Sequence, residues 1–112
     1  ILIGKRRKPE ELADKWEFPG GEIESDESPE ECLRREVSEE LGIEIQVKNK
    51  ICEISHEHDF GNIKFHVFFA EWKNGELTPT THKEAKWVPR NELRNHDFTP
   101  ADVKIIKKIE NT

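Results

Sequence analysis

The chain has 112 residues, of which 38% are charged and 33% hydrophobic, and its net charge is −6 at neutral pH. This length fits one domain, which we expect to span residues 1–112. The acidic balance argues against a general binder of nucleic acid or membrane surfaces, and no apolar run has the length of a membrane span. We expect a cytoplasmic protein, either a monomer or a homodimer. Because the chain opens on Ile1 without a Met, we also expect a native segment ahead of it to be missing.

Several segments are predicted to be strands, because they alternate apolar and polar residues or are rich in Val, Ile, Phe and Trp. In chain order these strands are residues 1–7, 16–18, 43–56, 63–72 and 85–88. A loop is expected over residues 9–15. Turns are expected at 59–62 and 73–76, where Gly accompanies Asn or Asp.

Two helices are predicted between and after these strands. The first begins at Ser28, because Ser caps a helix, Pro29 suits the first helical position and Glu31 completes a capping box. Gly42 suits the left-handed position at which such a helix ends. The second helix begins at Pro100. Its apolar face carries Val103, Ile106 and Ile109. The mixture of elements predicts an α+β or α/β sandwich with a mixed sheet.

Three carboxylates share one face of the first helix. At 3.6 residues per turn, Glu36, Glu39 and Glu40 fall within an arc of about 100°. Like charges at this spacing repel, by roughly 0.2–0.5 kcal/mol for each i,i+4 pair. The face is therefore either a plain acidic surface or a place where a divalent cation sits among the oxygens.

The spacing around these carboxylates resembles the Nudix box. Five residues separate Gly21 from Glu27, and seven more lead to the run REVSEELGI, which starts at Arg35. The whole segment from Gly21 to Ile43 matches the family pattern GX5EX7REUXEEXGU, with U aliphatic, at every specified position. A chance match of that length has a probability of about one in a billion per start position. The resemblance implies the Nudix fold, an α-β-α sandwich of the α+β class with a mixed β-sheet and a loop-helix-loop formed by the box.

The resemblance also implies a metal site on the first helix. In Nudix enzymes the glutamates matching Glu36, Glu39 and Glu40 bind Mg²⁺, or alternatively Mn²⁺. The backbone carbonyl at the position of Gly21 often joins them.

Supporting and catalytic roles follow from the same resemblance. The family uses the arginine matching Arg35 to orient the carboxylates, and the glutamate matching Glu27 to hold the loop. The general base varies across the family, and we expect Glu36 first and Glu84 second. Many relatives read Glu-His close to Glu84, so its match is displaced and a solvated loop glutamate is the alternative. His82 is expected to be a hydrogen-bonding loop residue rather than a catalyst.

The flanks of the box resemble those of the MutT-like group, in which an arginine matching Arg6 contacts a substrate phosphate. A guanidinium fork suits phosphate oxygens, although a basic strand end is the alternative. Asp102 lies in a segment similar to the base-reading segment of the group. Its carboxylate can accept from the amino group of cytosine or from the N–H groups of 8-oxoguanine, or it can simply favour the helix dipole. Phe18 and Phe98 either flank the base or pack in the core.

The function implied is the Mg²⁺-dependent hydrolysis of a nucleoside triphosphate to a monophosphate and pyrophosphate. Oxidised purine triphosphates such as 8-oxo-dGTP are the expected substrates, and CTP or modified dCTP is the alternative. Two further possibilities stay open. One is a non-catalytic Nudix module that senses a nucleotide, and the other is an enzyme that acts on ADP-ribose, a dinucleoside polyphosphate or a capped RNA.

Overall fold

The structure is a computed structural model that describes residues 1–7, 12–58 and 61–111. Within these ranges the elements are β1 (Leu2–Lys5), β2 (Trp16–Glu17), α1 (Pro29–Leu41), β3 (Ile43–His58), β4 (Gly61–Gly75), β5 (Glu84–Trp87), a 3-10 helix (Arg90–Asn95) and α2 (Pro100–Glu110). The predicted loop over 9–15 and the predicted turn over 59–62 lie partly outside the described residues. No helix in the described ranges is long and apolar enough to cross a membrane.

A small sheet is layered between the two helices. β1 is its central strand, and β2 and β5 pair with β1 on either side, both antiparallel. Successive side chains of a strand point to opposite faces. Leu2 accordingly packs with the apolar stripe of α1, whereas Ile3 packs with the apolar face of α2. A parallel bridge between Trp16 and Phe98 adds a parallel pairing beside this sheet. The predicted sandwich of helix, sheet and helix is therefore present.

Helix α1 begins and ends where the sequence predicts. The Ser28 side chain accepts from the Glu31 N–H at 3.1 Å, and the Glu31 side chain accepts from the Ser28 N–H at 3.2 Å, which completes the capping box. Gly42 follows the helix with φ at 72°, the left-handed conformation expected of a terminating glycine. These caps fix the position of the acidic face along the chain.

Strands β3 and β4 form a long antiparallel ribbon that extends beyond the predicted strands. Asn62 pairs with Glu57, and Asn74 pairs with Glu44, so both lie in strand β4 rather than in the predicted turns. The prediction was wrong at these positions because pairing with β3 overrides the local turn preference of Asn and Gly. Bulges interrupt the register of this ribbon at three places, the first between Glu44 and Ile45.

Candidate active site

Arg35 on α1 ties the loop before the helix to the carboxylates on the helix. Its Nε and Nη2 donate to the two oxygens of Glu27, at 2.7 and 3.1 Å. Its Nη1 donates to Glu36 at 2.8 Å and to Glu39 at 3.2 Å. The hydrogen bond between Arg35 and Glu27 lowers the pKa of Glu27 to about 2 and raises the pKa of Arg35. Arg35 thus contacts three acids of the box at once.

The loop that precedes α1 is fastened to the helix by further contacts. The Glu22 carbonyl accepts from Arg35 Nη2 at 3.2 Å. The buried Cys32 thiol donates to the carbonyls of Gly21 and Glu22, at 3.6 and 3.4 Å. Burial raises the pKa of this thiol. Cys32 is a contact within the box that sequence reasoning did not single out, because the box pattern leaves its position unspecified.

Gly21 lies directly against the carboxylate of Glu36. A Cβ added at Gly21 would stand 2.4 Å from the Glu36 Cδ, a distance that atoms in proteins do not reach. Only a residue without a side chain allows the Glu36 carboxylate to take this position. The first glycine of the box therefore has a steric reason to be there.

Glu40 is the acid of the box with the most unfavourable surroundings. Burial, a hydrogen bond with Glu36 and the charges of Glu36 and Glu17 raise its pKa to about 7, while His82 acts in the opposite direction. Its Oε2 is buried and has no hydrogen-bond partner within the described ranges. A buried carboxylate oxygen without a donor costs free energy. The surroundings of Glu40 therefore disfavour its charged form.

The acidic face has the chemistry of a site for a hard divalent cation. Carboxylate oxygens are the ligands that Mg²⁺ and similar ions prefer, and the oxygen of Glu40 lacks a partner. The described residues contain no ready-made set of three His, Cys, Asp or Glu ligands. Glu36 and Glu39 instead accept hydrogen bonds from Arg35. The carboxylate ligands suit a hard divalent cation, while Arg35 provides hydrogen bonds to two of them, Glu36 and Glu39.

A cleft of about 360 Å³ lies next to this face. It is lined by Arg6, Arg7, Glu17, Thr81 and His82. Arg6 forms an ion pair with Glu17, whose other oxygen lies 2.8 Å from His82 Nε2. Thr80, the neighbour of Thr81 in this lining, donates its N–H to the Glu40 carbonyl at 2.8 Å, so the cleft lies beside the end of α1 that carries Glu40. Glu17 and His82 both act on the pKa of Glu40.

Sequence reasoning predicted Arg6 as a phosphate contact, gave Glu17 no role, and assigned His82 only a general hydrogen-bonding role. In the sequence, Glu17 could have been noticed only as an acid between two aromatic residues, Trp16 and Phe18. This pattern does not show that His82 is the partner of Glu17, because the two residues are 65 positions apart in the chain.

A larger cleft of about 560 Å³ lies elsewhere and contains none of the predicted site residues. It is lined by Arg34, Ser38, Glu44, Ile45, Gln46 and Lys73. Size alone therefore does not identify the site in this protein.

Asp102 is buried at the start of α2, with 8% of its surface exposed. Its Oδ1 accepts from the Phe18 N–H at 3.2 Å, and its Oδ2 accepts from the Thr99 hydroxyl. Burial raises the pKa of Asp102 to about 6, although both hydrogen bonds lower it. Asp102 thus joins α2 to the segment that follows β2.

The rings of Phe18 and Phe98 stack on each other, with centroids 5.2 Å apart and an angle of 26° between their planes. Phe98 is a buried core residue, and Phe18 packs partly buried against the same cluster. Stacked rings at this distance leave no room for a base between them. The expectation that the two rings flank a base is therefore not met, and contact of Phe18 with the substrate stays a prediction.

Glu84 is exposed and begins β5, where its backbone pairs with Lys5. His82, two positions earlier, lowers the pKa of Glu40 on α1. A catalytic role for Glu84 stays a prediction.

Comparison with known proteins identifies the family of this chain. The NUDIX domain family matches residues 1–109. A CTP pyrophosphohydrolase of Escherichia coli strain K12 is 32% identical over 107 residues, which cover 96% of this chain and 79% of the relative. An 8-oxo-dGTP diphosphatase of the same strain is 32% identical over 110 residues, which cover 98% of this chain and 85% of the relative.

Solved structures of related proteins have the same fold as this chain. The solution structure of the E. coli ORF135 protein superposes with a TM-score of 0.88 at 29% identity, over 99% of this chain and 79% of that chain. The predicted Nudix fold is thereby confirmed. With a matching family over nearly the whole chain, an intact box and the Arg35-centred acidic face, the protein belongs to the Nudix family and is a Nudix hydrolase of the MutT-like group.

Proposed function

We propose that this Nudix hydrolase cleaves a nucleoside triphosphate to a nucleoside monophosphate and pyrophosphate, with Mg²⁺ as its cofactor. One observation carries the proposal. Arg35 gathers Glu27, Glu36 and Glu39 beside Glu40, whose buried oxygen lacks a hydrogen-bond partner in the described ranges. An acidic face of this kind next to a cleft with two arginines suits a polyphosphate held through a cation.

The groups proposed to hold the cation are the side chains of Glu36, Glu39 and Glu40 and the carbonyl of Gly21. When bound, a hard divalent cation neutralises phosphate oxygens and lowers the pKa of an attacking water. Mg²⁺ is proposed as the cofactor, and Mn²⁺ as a substitute with the same ligand preference.

The remaining roles belong to residues around the cation ligands. Glu36 is proposed as the general base, with Glu84 as the second candidate. Arg35 is a positioning residue, because its three carboxylate contacts set the direction of Glu36. Arg6 is proposed to contact a phosphate from the cleft that it lines.

The proposed substrate class is an oxidised purine nucleoside triphosphate such as 8-oxo-dGTP. The relative called 8-oxo-dGTP diphosphatase supports this choice. Asp102 is proposed to accept hydrogen bonds from the base. A carboxylate has about four acceptor sites, and the two protein donors occupy two of them.

A second candidate substrate is CTP or modified dCTP. The relative called CTP pyrophosphohydrolase, which is 32% identical, supports it. An acid at position 102 also suits the amino group of cytosine, since a carboxylate accepts from that group in base recognition.

A panel of nucleoside triphosphates with Mg²⁺, Mn²⁺ or EDTA tests the proposal. Release of pyrophosphate rather than phosphate is expected, with 8-oxo-dGTP preferred and no turnover in EDTA. A preference for CTP over 8-oxo-dGTP would reverse the order of the two candidates. The variants Glu36→Gln and Glu39→Gln are expected to lose turnover by roughly two orders of magnitude or more while they remain folded.

Near-normal turnover in both variants would contradict the assignment of the cation ligands. Absence of hydrolysis for every nucleotide, together with tight binding in EDTA, would favour a nucleotide-sensing module instead.

A further inference from the structure

Three side chains next to neighbouring strands form a chain of hydrogen bonds. Arg6 follows β1, Glu17 ends β2 and His82 precedes β5. One oxygen of Glu17 accepts from Arg6, and the other lies 2.8 Å from His82 Nε2. Because a carboxylate offers only acceptors, the proton of this second bond lies on Nε2. Glu17 is thus held from two sides.

Packing fixes the ring of His82 in addition to this bond. The side chain is 4% exposed, and the ring lies over the Cα of Gly4 in the central strand. A Cβ at position 4 would stand 2.6 Å from the ring Cδ2 and 2.9 Å from Nε2. Gly4 lies opposite Glu17 in the sheet register. The absence of a side chain at Gly4 therefore opens the space through which His82 reaches Glu17.

The burial of His82 has a cost that packing alone does not explain. Its Nδ1 is buried without a hydrogen-bond partner in the described ranges. A buried polar atom without a partner destabilises the fold, and an apolar side chain in the same space avoids that loss. The bond to Glu17 is the contact that an apolar side chain cannot make.

All three side chains line the cleft beside the acidic face. A guanidinium recognises phosphate oxygens through a planar fork, so its orientation decides how well it binds. We propose that His82 is a positioning residue: through Glu17 it sets the orientation of Arg6 toward the polyphosphate of the substrate. This inference rests on the proposed function. It adds two residues that position Arg6: Glu17, which accepts from Arg6, and His82, which holds Glu17.

Binding of Mg²⁺–tripolyphosphate, measured by calorimetry, tests the inference without requiring turnover. His82→Ala is expected to bind about tenfold more weakly, which is typical for loss of a hydrogen bond to a charged group. Arg6→Ala is expected to lose at least as much. The double variant is expected to bind no more weakly than Arg6→Ala, because His82 acts only through Arg6. In hydrolysis assays the same loss is expected in KM rather than in kcat.

Two conservative variants separate positioning from folding. His82→Gln keeps an N–H donor near the position of Nε2 and is expected to bind within about threefold of the wild type. His82→Asn is too short to reach Glu17 and is expected to bind about as weakly as His82→Ala. These two variants decide the matter if His82→Ala does not fold, since equal affinities for Gln and Asn would overturn the inference.

His66→Ala is the matched control, because His66 lies on the β3–β4 ribbon and contacts Lys50 and Glu53. Its affinity is expected to equal that of the wild type. Normal binding by folded His82→Ala, or additive losses in the double variant, would overturn the inference. A wild-type protein that hydrolyses no triphosphate would refute the proposed function, while the binding series would still decide the role of His82.

Discussion

Glu40 on α1 and Asp102 on α2 are acids with raised pKa values in very different surroundings. Burial is the first cause at both, and the pKa values rise to about 7 and about 6. At Glu40 the neighbours add to the shift, because Glu36 brings a second carboxylate. At Asp102 the neighbours oppose it, because the Thr99 hydroxyl and the Phe18 N–H donate to the carboxylate.

The difference shows that a raised pKa can accompany two kinds of acid. Glu40 has a buried oxygen without a partner in the described ranges, so its charge is poorly compensated within the fold. Asp102 has a protein donor for each oxygen, and these two bonds join α2 to the segment after β2. The comparison predicts that Glu40 matters most for turnover and Asp102 most for the pH dependence of stability.

Replacement of Glu40 by Gln is expected to have the largest effect on activity. Loss of one proposed cation ligand should reduce kcat by roughly 10³-fold. The Glu40→Gln variant should nevertheless be more stable than the wild type above neutral pH. The folded pKa lies above the unfolded one, so the wild type loses stability as pH rises from about 4.5 to about 7. In EDTA at pH 8, Glu40→Gln should be more stable by about 1 kcal/mol, after allowance for solvent screening.

Steady-state kinetics and urea unfolding in EDTA measure the two effects. Glu30→Gln, an exposed substitution on the same helix, is the control and should change neither by much. A Glu40→Gln protein that is less stable than the wild type at pH 8 would contradict the poorly compensated charge.

Gly21→Ala tests how closely the loop and the acidic face must fit. The new Cβ would meet Glu36, so the carboxylate must move. A displacement of about 1 Å at a reacting group can cost roughly 10²-fold in rate, and we expect a loss of that order in kcat. Gly20→Ala is the control, because a Cβ there meets no atom within 4 Å although φ is 154°. Equal losses of kcat in the two variants would contradict a specific role for the contact between position 21 and Glu36.

Glu27→Gln addresses the contact that joins the loop to Arg35. The amide keeps the shape but removes the charge, and we expect about a tenfold loss in kcat, as for other residues that orient ligands. The pKa of Glu27 is lowered to about 2, so its contribution to stability is present above about pH 4.5 and is lost as pH falls toward 2. The variant should therefore show a shallower loss of stability over that range. Acid titration followed by tryptophan fluorescence measures the slope, and a slope equal to that of the wild type would contradict the ion pair.

The same comparison explains how far the sequence could predict the site. Arg35, Glu27 and Glu36 lie within one turn-and-helix segment, so helical periodicity and the box spacing were enough to bring them together. The contacts of Asp102 with Phe18 and of His82 with Glu17 join residues 84 and 65 positions apart. Such pairs depend on strand register and helix docking, which local patterns do not specify.

Turn preferences failed for a related reason. Asn74 and Gly75 favour a turn in isolation, yet their pairing with β3 continues the strand through them. The stacking of Phe18 on Phe98 was likewise open from the sequence, because an aromatic residue next to a site can face either the ligand or the core. Packing decided both cases.

Asp102→Asn is expected to have the smallest effect on turnover, within a few-fold for 8-oxo-dGTP, and a clear effect on the pH dependence of stability. The folded pKa of Asp102 is about 6 and the unfolded value is 3.8, so its charge destabilises the fold as pH rises through this window. Asn can still accept from the Phe18 N–H and can donate to the Thr99 oxygen. The variant should therefore match the wild type at pH 4 and exceed its unfolding free energy by about 2 kcal/mol at pH 8.

Urea unfolding between pH 4 and pH 8 measures this difference, with Asp97→Asn as the control, because the Asp97 side chain is 77% exposed and pairs with Lys15 at the surface. The control should keep the wild-type pH dependence. If Asp102→Asn instead loses stability at pH 8, the buried carboxylate must contribute more through its charge-assisted bonds than its burial costs. Asp102 would then belong with Glu27, as an acid whose charge the fold requires, and the contrast with Glu40 would rest on partners alone.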